Sequence, residues 1–280
     1  MIKHILIAVD GSSNSDTALS YGMYLAKKLK AAVHVQHVID VIFLENPFLH
    51  DLSGAMGFEP FMDFSGKVSD ILRKRGEQIL ADAEKACKDA DVECTTYLDS
   101  GIVSREITER EKLVDLVIIG QKGINGQFDR KILGSTTEGL SRRSSKPLLI
   151  CPAQFKEIGH VLLAYDDSNG AKKAMAFAVD FCKALDMRLT VVTVNKDETI
   201  LKTIRNSVTS YIEPYGIGFD ITGTSSGNAE GVLKSMMDDG AFDLLIMGAH
   251  GHSRIVEMVL GSTAEYVIRN TRKPVVVTKG

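Results

Sequence analysis

A doubly wound α/β fold, present in two tandem copies, is what this sequence predicts. Short β-branched apolar runs alternate with segments of helical spacing, and the whole alternation occurs twice. Each pass ends on a glycine-rich loop, a lysine-proline pair and a closing apolar run. "HILIAVDGS" (His4 to Ser12) is matched by "HVLLAYDDS" (His160 to Ser168), which sets Asp10 opposite Asp166. "KPLLIC" at Lys146 is matched by "KPVVVT" at Lys273. The join falls near Ala153 to Ile158, so the expected domains are residues 1–154 and 155–280.

The runs "ILIAV", "VHVQHV", "LVIIG" and "LLIC" read as buried strands, being apolar on consecutive positions. Ala18, Tyr21, Leu25 and Leu29 recur at helical spacing, as do Ala174, Phe177 and Phe181. "VSDILRKRGEQILADAEKACKDA" from Val68 predicts a long charged helix with an apolar stripe at Ile71, Ile79, Ala83 and Ala86. Ser12 and Ser168 stand where helix N-caps are expected. Strands alternating with helices imply a parallel sheet with right-handed crossovers, five strands to each copy. Residues 40–67 of the first copy, rich in Phe, Met, Gly and Pro, have only a much shorter counterpart after Val194. The heart of that insertion, 43–64, reads either as a surface loop with a short helix or as a lid or contact patch.

Composition narrows the function. A net charge of −3 argues against a broad electrostatic surface for nucleic acid or anionic membrane. A hydrophobic fraction of 44% and a charged fraction of 25% are those of a globular chain. Cys87, Cys94, Cys151 and Cys182 form no CxxC pair and fit a reducing compartment. "MIKHILIAVDGSSNS" is too early interrupted for a signal peptide. No run reaches the roughly 18 apolar residues of a membrane span. The expectation is a cytoplasmic protein. His34 and His37 point to opposite faces of a strand, so an ion shared with Asp40 is not expected. No Ser-His-Asp arrangement is evident, and His250 and His252 read as loop residues near a phosphate.

Ligands of open α/β sheets bind beyond the carboxyl ends of the strands, where strand order reverses. Gly248 ends the fourth strand of the second copy, Asp166 follows its first and Val194 ends its second, so the three converge. Ser262 and Thr263 open the next helix, whose N–H groups and partial positive charge suit an anion. Bare glycine backbone beside a helix start makes a phosphate cradle. Asp166 is set to accept from a ribose or a base. Neither G-x-x-x-x-G-K-[ST] nor G-x-G-x-x-G is present. What stands is G-x-x-G-x9-G-S, as Gly248, Gly251 and Gly261-Ser262.

With Asp166 and the duplication, this motif resembles the universal stress protein family. Apart from the 43–64 insertion, the whole chain looks like a tandem member. The resemblance implies a Rossmann-like sheet of order 3-2-1-4-5. It also implies pairing of the two fifth strands, which makes the chain an intramolecular pseudo-dimer, with further homodimerisation open. As in many members, the implied ligand is ATP or AMP, with Mg²⁺ accompanying ATP. Ala164, Tyr165 and Asp166 match residues lining the adenine and ribose, and Val194 matches one that meets adenine through its backbone. Met247, Gly248, His250, Gly251, Gly261, Ser262 and Thr263 match residues around the ribose and phosphates.

The first copy keeps Asp10, Val38, Gly120, Gly123, Gly134 and Ser135, but ten residues separate Gly123 from Gly134 where the second copy has nine. One extra residue moves backbone amides by up to ~3.5 Å. The second copy is therefore the expected site and the first a weaker one. The expected function is a stress-response or regulatory protein that binds adenine nucleotide and acts on an unnamed protein partner. The alternatives are a slow ATPase or nucleotide-transferring enzyme, and a nucleotide-free interaction module. The missing P-loop lysine, general base and acidic pair for Mg²⁺ favour binding over catalysis.

Overall fold

The computed structural model describes residues 1–44, 61–124, 133–251 and 260–279, without the side chains of 43–44 and 61–65. The first half runs β1 (His4–Ala8), α1 (Ser13–Leu29), β2 (Ala32–Asp40), α2 (Val41–Leu44), α3 (Phe61–Asp89), β3 (Cys94–Gly101), α4 (Val103–Arg110), β4 (Leu116–Gly120), α5 (Ser135–Arg143) and β5 (Leu148–Cys151). The second runs β6 (His160–Ala164), α6 (Asn169–Leu185), β7 (Arg188–Val194), α7 (Glu198–Ile212), β8 (Phe219–Thr224), α8 (Ala229–Asp238), β9 (Leu244–Gly248), α9 (Ser262–Asn270) and β10 (Val275–Thr278).

All ten strands form one sheet of order β3-β2-β1-β4-β5-β10-β9-β6-β7-β8. Each half is parallel with order 3-2-1-4-5, as the family resemblance implied. The halves meet through β5 and β10, which run antiparallel with Leu149 opposite Val276. Both strands are fully buried, and each hides an edge the other would expose.

Consecutive apolar residues in the central strands serve two cores, because alternate side chains leave opposite faces. Ile5 and Ile7 pack under α1 and α3 on one face, in a cluster that continues beneath α6 and α7. Leu6 and Ala8 pack on the other, with Ile107 of α4 and Leu140 of α5. The stretch between the halves is seated on α1: Phe155 lies 4.7 Å from the Tyr21 ring, and the Tyr24 hydroxyl donates to the Ile158 carbonyl at 3.1 Å.

Two expectations need correction. The long helix starts at Phe61 rather than near Val68. Its buried stripe is Leu80, Ala83 and Cys87 with Ile79 and Ala86 packed beside it, while Ile71 is 64% exposed. Beyond the last strands this end of α3 has no sheet to cover. Of the insertion, residues 45–60 lie outside the described residues, and with them most of the lid-or-patch expectation.

Candidate functional site

Each half has a crevice beyond the carboxyl ends of its first and fourth strands. In the second half a cavity of about 150 Å³ is lined by all eleven residues expected there, from Ala164, Tyr165 and Asp166 to Gly261, Ser262 and Thr263. In the first half a cavity of about 390 Å³ is lined by Asp10, Val38, Gly120, Gly123, Gly134 and Ser135. The sequence reading missed Ala229 and Leu233 of α8 and their counterparts Val103 and Ile107 of α4. Their four-residue spacing on one helix face was visible, but nothing in it says that the face overlooks a ligand site. It also missed Gln36.

The fourth-strand glycines bring the crevice wall close to a helix start. A Cβ at Gly248 would fall 2.7 Å from the Gly170 carbonyl carbon, and one at Gly120 2.8 Å from the Asn14 Cβ. No side chain fits between strand end and helix. Ser12 and Ser168 cap α1 and α6, each accepting from a backbone N–H at 3.2 Å.

The strand-end aspartates hold the loops. Asp10 Oδ1 accepts from the Ser12 amide at 3.0 Å and Oδ2 from the Ile124 amide at 2.9 Å. Asp166 Oδ1 accepts from the Ser168 amide at 3.0 Å. A Cβ at Gly251 would come within 2.9 Å of Asp166 Oδ2, and one at Gly123 within 2.7 Å of Asp10 Oδ2. Asp10 thus ties the start of α1 to the glycine loop. Each of its oxygens already serves a backbone amide, and a sugar hydroxyl would share Oδ2.

The loops close alike in both halves. Gly261 N–H donates to the Ala249 carbonyl at 2.9 Å and Gly134 N–H to the Gln121 carbonyl at 3.2 Å. A Cβ at Gly261 would sit 3.1 Å from that Ala249 oxygen, and one at Gly134 3.4 Å from that of Gln121. The third glycine therefore faces loop backbone. The extra residue of the first copy does not disturb this closure, and residues 125–132, which include Gly126, lie outside the described residues.

After those glycines, α5 and α9 begin with no side-chain cap. Their first-turn N–H groups are donors that a ligand can use. The first-turn carboxylates are drawn off by ion pairs, Glu265 with Arg269 at 2.6 Å and Glu138 with Arg142 at 2.5 Å. His250 Nε2 is buried on the crevice wall with no hydrogen-bond partner among the described residues. Tyr165 donates to Asp167 at 3.0 Å; burial, and then that bond to a carboxylate, push its phenol above the ordinary range. His252 lies outside the described residues.

The two histidines of β2 part company. His37 Nδ1 is 2.8 Å from the Val9 carbonyl, whereas His34 lies between His4 at 3.2 Å and the Tyr97 hydroxyl at 3.3 Å. Among the described residues no helix is long and apolar enough to cross a membrane.

Comparison with known proteins places this architecture. The profile of the Universal stress protein family matches residues 1–152 and 221–279. The universal stress protein Slr1230 of Synechocystis is 30% identical over 284 residues, covering 98% of this chain and 99% of the relative. The universal stress protein YxiE of Bacillus subtilis is 30% identical over 152 residues, 54% of this chain and 99% of the relative. A universal stress protein from Archaeoglobus fulgidus, at 24% identity, shares the fold with a TM-score of 0.76 over 99% of this chain and 98% of that one. The chain belongs to the universal stress protein family.

Proposed function

We propose that this protein binds an adenine nucleotide, ATP or AMP, at the carboxyl ends of its strands, and that occupancy alters its contact with a protein partner in a cytoplasmic stress response. One observation carries the reading: residues far apart in sequence line a crevice at the start of an uncapped helix in each half. Backbone amides and the helix dipole suit phosphates there, while Val38 or Val194 and the strand-end aspartate suit the base and sugar. Mg²⁺ would arrive on the phosphates of ATP. Residues 1–154 and 155–280 are the two binding units.

The loop residues that set the difference in spacing, 125–132 and 252–259, lie outside the described residues. The second unit has the complete residue set and the buried His250 ring; the first has Lys122 on its wall. The reading is therefore one site in each half. Mass spectrometry of denatured, freshly purified protein should release AMP or ATP, and calorimetric titration of nucleotide-stripped protein should give a stoichiometry near two. Because Gly261 and Gly134 press on loop backbone alike, valine at either should weaken its own site to a similar degree. No released nucleotide, together with no heat on adding millimolar ATP or AMP, would overturn the proposal.

A further inference from the structure

We propose that the first crevice takes a planar heterocycle bearing an amino group, and that Gln36 selects it by accepting from that group. This rests on the reading of the crevices as adenine-nucleotide sites and says which atom of this chain reads the base.

Gln36 is 1% exposed and lines the cavity together with Ala8, Val38, Val103, Ile107 and Leu133. Its Nε2 donates to Asp99 Oδ2 at 2.8 Å and to the Glu106 carbonyl at 3.4 Å. Turning the amide over would set Oε1 against a carboxylate and a carbonyl, two acceptors, so its orientation is determined by its neighbours. Asp99 is itself held by Arg110, whose Nη2 donates to the same Oδ2 at 2.8 Å. The Arg110 guanidinium in turn lies 3.7 Å from the centre of the Tyr97 ring. The side chain is clamped.

The clamp leaves Oε1 buried with no hydrogen-bond partner among the described residues. Buried acceptors are nearly always satisfied, and one left bare on a residue that lines a cavity calls for a donor from the ligand. The surrounding walls are apolar and suit a flat ring. An amino group on that ring satisfies Oε1, whereas a carbonyl in its place turns a lone pair against it. Adenine carries the amino group; hypoxanthine carries the carbonyl.

The second half lacks this device. Val192 stands two residues before Val194, as Gln36 stands two before Val38. Thr224 pairs with Val194 where Asp99 pairs with Val38. Met236 follows Leu233 at the interval at which Arg110 follows Ile107. The three polar partners are replaced together.

The test is photolabelling of the full chain with azido-adenosine monophosphate, with peptide mapping to tell the halves apart and with AMP or IMP as competitor. For the wild type, AMP should displace first-half label at least about tenfold more effectively than IMP, since a site with an unmet polar partner rejects the wrong ligand. Gln36→Leu should bring that ratio to within about twofold while leaving the second-half ratio unchanged. If Gln36→Leu fails to fold, Gln36→Met, unbranched and of similar length, carries the same comparison. An unchanged ratio in the variant overturns the inference, as does a first half that takes no label while the second is labelled; both leave nucleotide binding standing. No label in either half overturns the inference and the nucleotide reading together.

Discussion

Two residues before the valine that ends the second strand, the first half carries Gln36 and the second carries Val192, and both line their crevices. Around that difference almost everything else is held in common. Both halves cap their first helix with a serine on a strand-end aspartate, and both close the glycine loop with a backbone bond from the third glycine. Both also tie the start of the first strand to an aspartate before the fourth. Asp115 accepts from the amides of Lys3 and His4, and Asp243 from those of Gly159 and His160. What the copies share is what the backbone needs. Among what separates them is a side chain that lines the space a ligand would occupy. Duplication of a fold preserves the frame and releases the floor of the pocket for change.

The largest way to break the comparison is to separate the halves. Residues 155–280 expressed alone would expose the whole β10 edge that β5 covers. The expected outcome is self-association or aggregation in light scattering. A stable, monodisperse monomer would mean that β5 is dispensable.

A smaller effect tests the shared frame. Gly248→Val and Gly120→Val each force a Cβ against a helix start, at 2.7 Å and 2.8 Å. Both should destabilise by about 1–3 kcal/mol or more in denaturant unfolding. A large loss from one and none from the other would show that the two strand ends are not equivalent.

Smaller again are the caps. Ser12→Ala and Ser168→Ala each remove an acceptor from an N-terminal amide, for about 1 kcal/mol apiece. Chemical denaturation should find the two losses equal within error, and a difference would sharpen the asymmetry of the halves.

The smallest effect is on acid stability. Burial alone would raise the carboxyls of Asp115 and Asp243, but their amide partners, joined by Lys156 at Asp243, outweigh it and hold both below the ordinary value. A depressed folded pKa means stabilisation that is complete above the unfolded pKa and is lost as pH falls through the folded one. Thermal midpoints should therefore fall below about pH 4. Asp115→Asn and Asp243→Asn should each flatten that fall, and a profile identical to the wild type's would remove these aspartates from the account.

Most of the fold was readable in the chain because it rests on residue types that leave a local mark. Buried parallel strands need unbroken apolar runs, and strand ends that abut a helix need glycine; both requirements show in one dimension. Hence the repeat, the strand order that the family resemblance implied, and the residues lining both crevices could be named by number. The stripe on α3 was misjudged at Ile71 because helical spacing gives a face without saying how far the sheet beneath it reaches.

By itself, then, the sequence determined the duplicated α/β frame, the glycine loops and the placing of the crevices, since each is a constraint of backbone geometry written in nearby residues. Tertiary structure alone decided that loops of different length close alike, and that Asp10 holds the amide of Ile124. It alone set Gln36 between Asp99 and Glu106 with its carbonyl left over. Those partners lie 63 and 70 residues away. A strand's period of two assigns a side chain to a face, but only the packed neighbours decide which polar atoms it meets there.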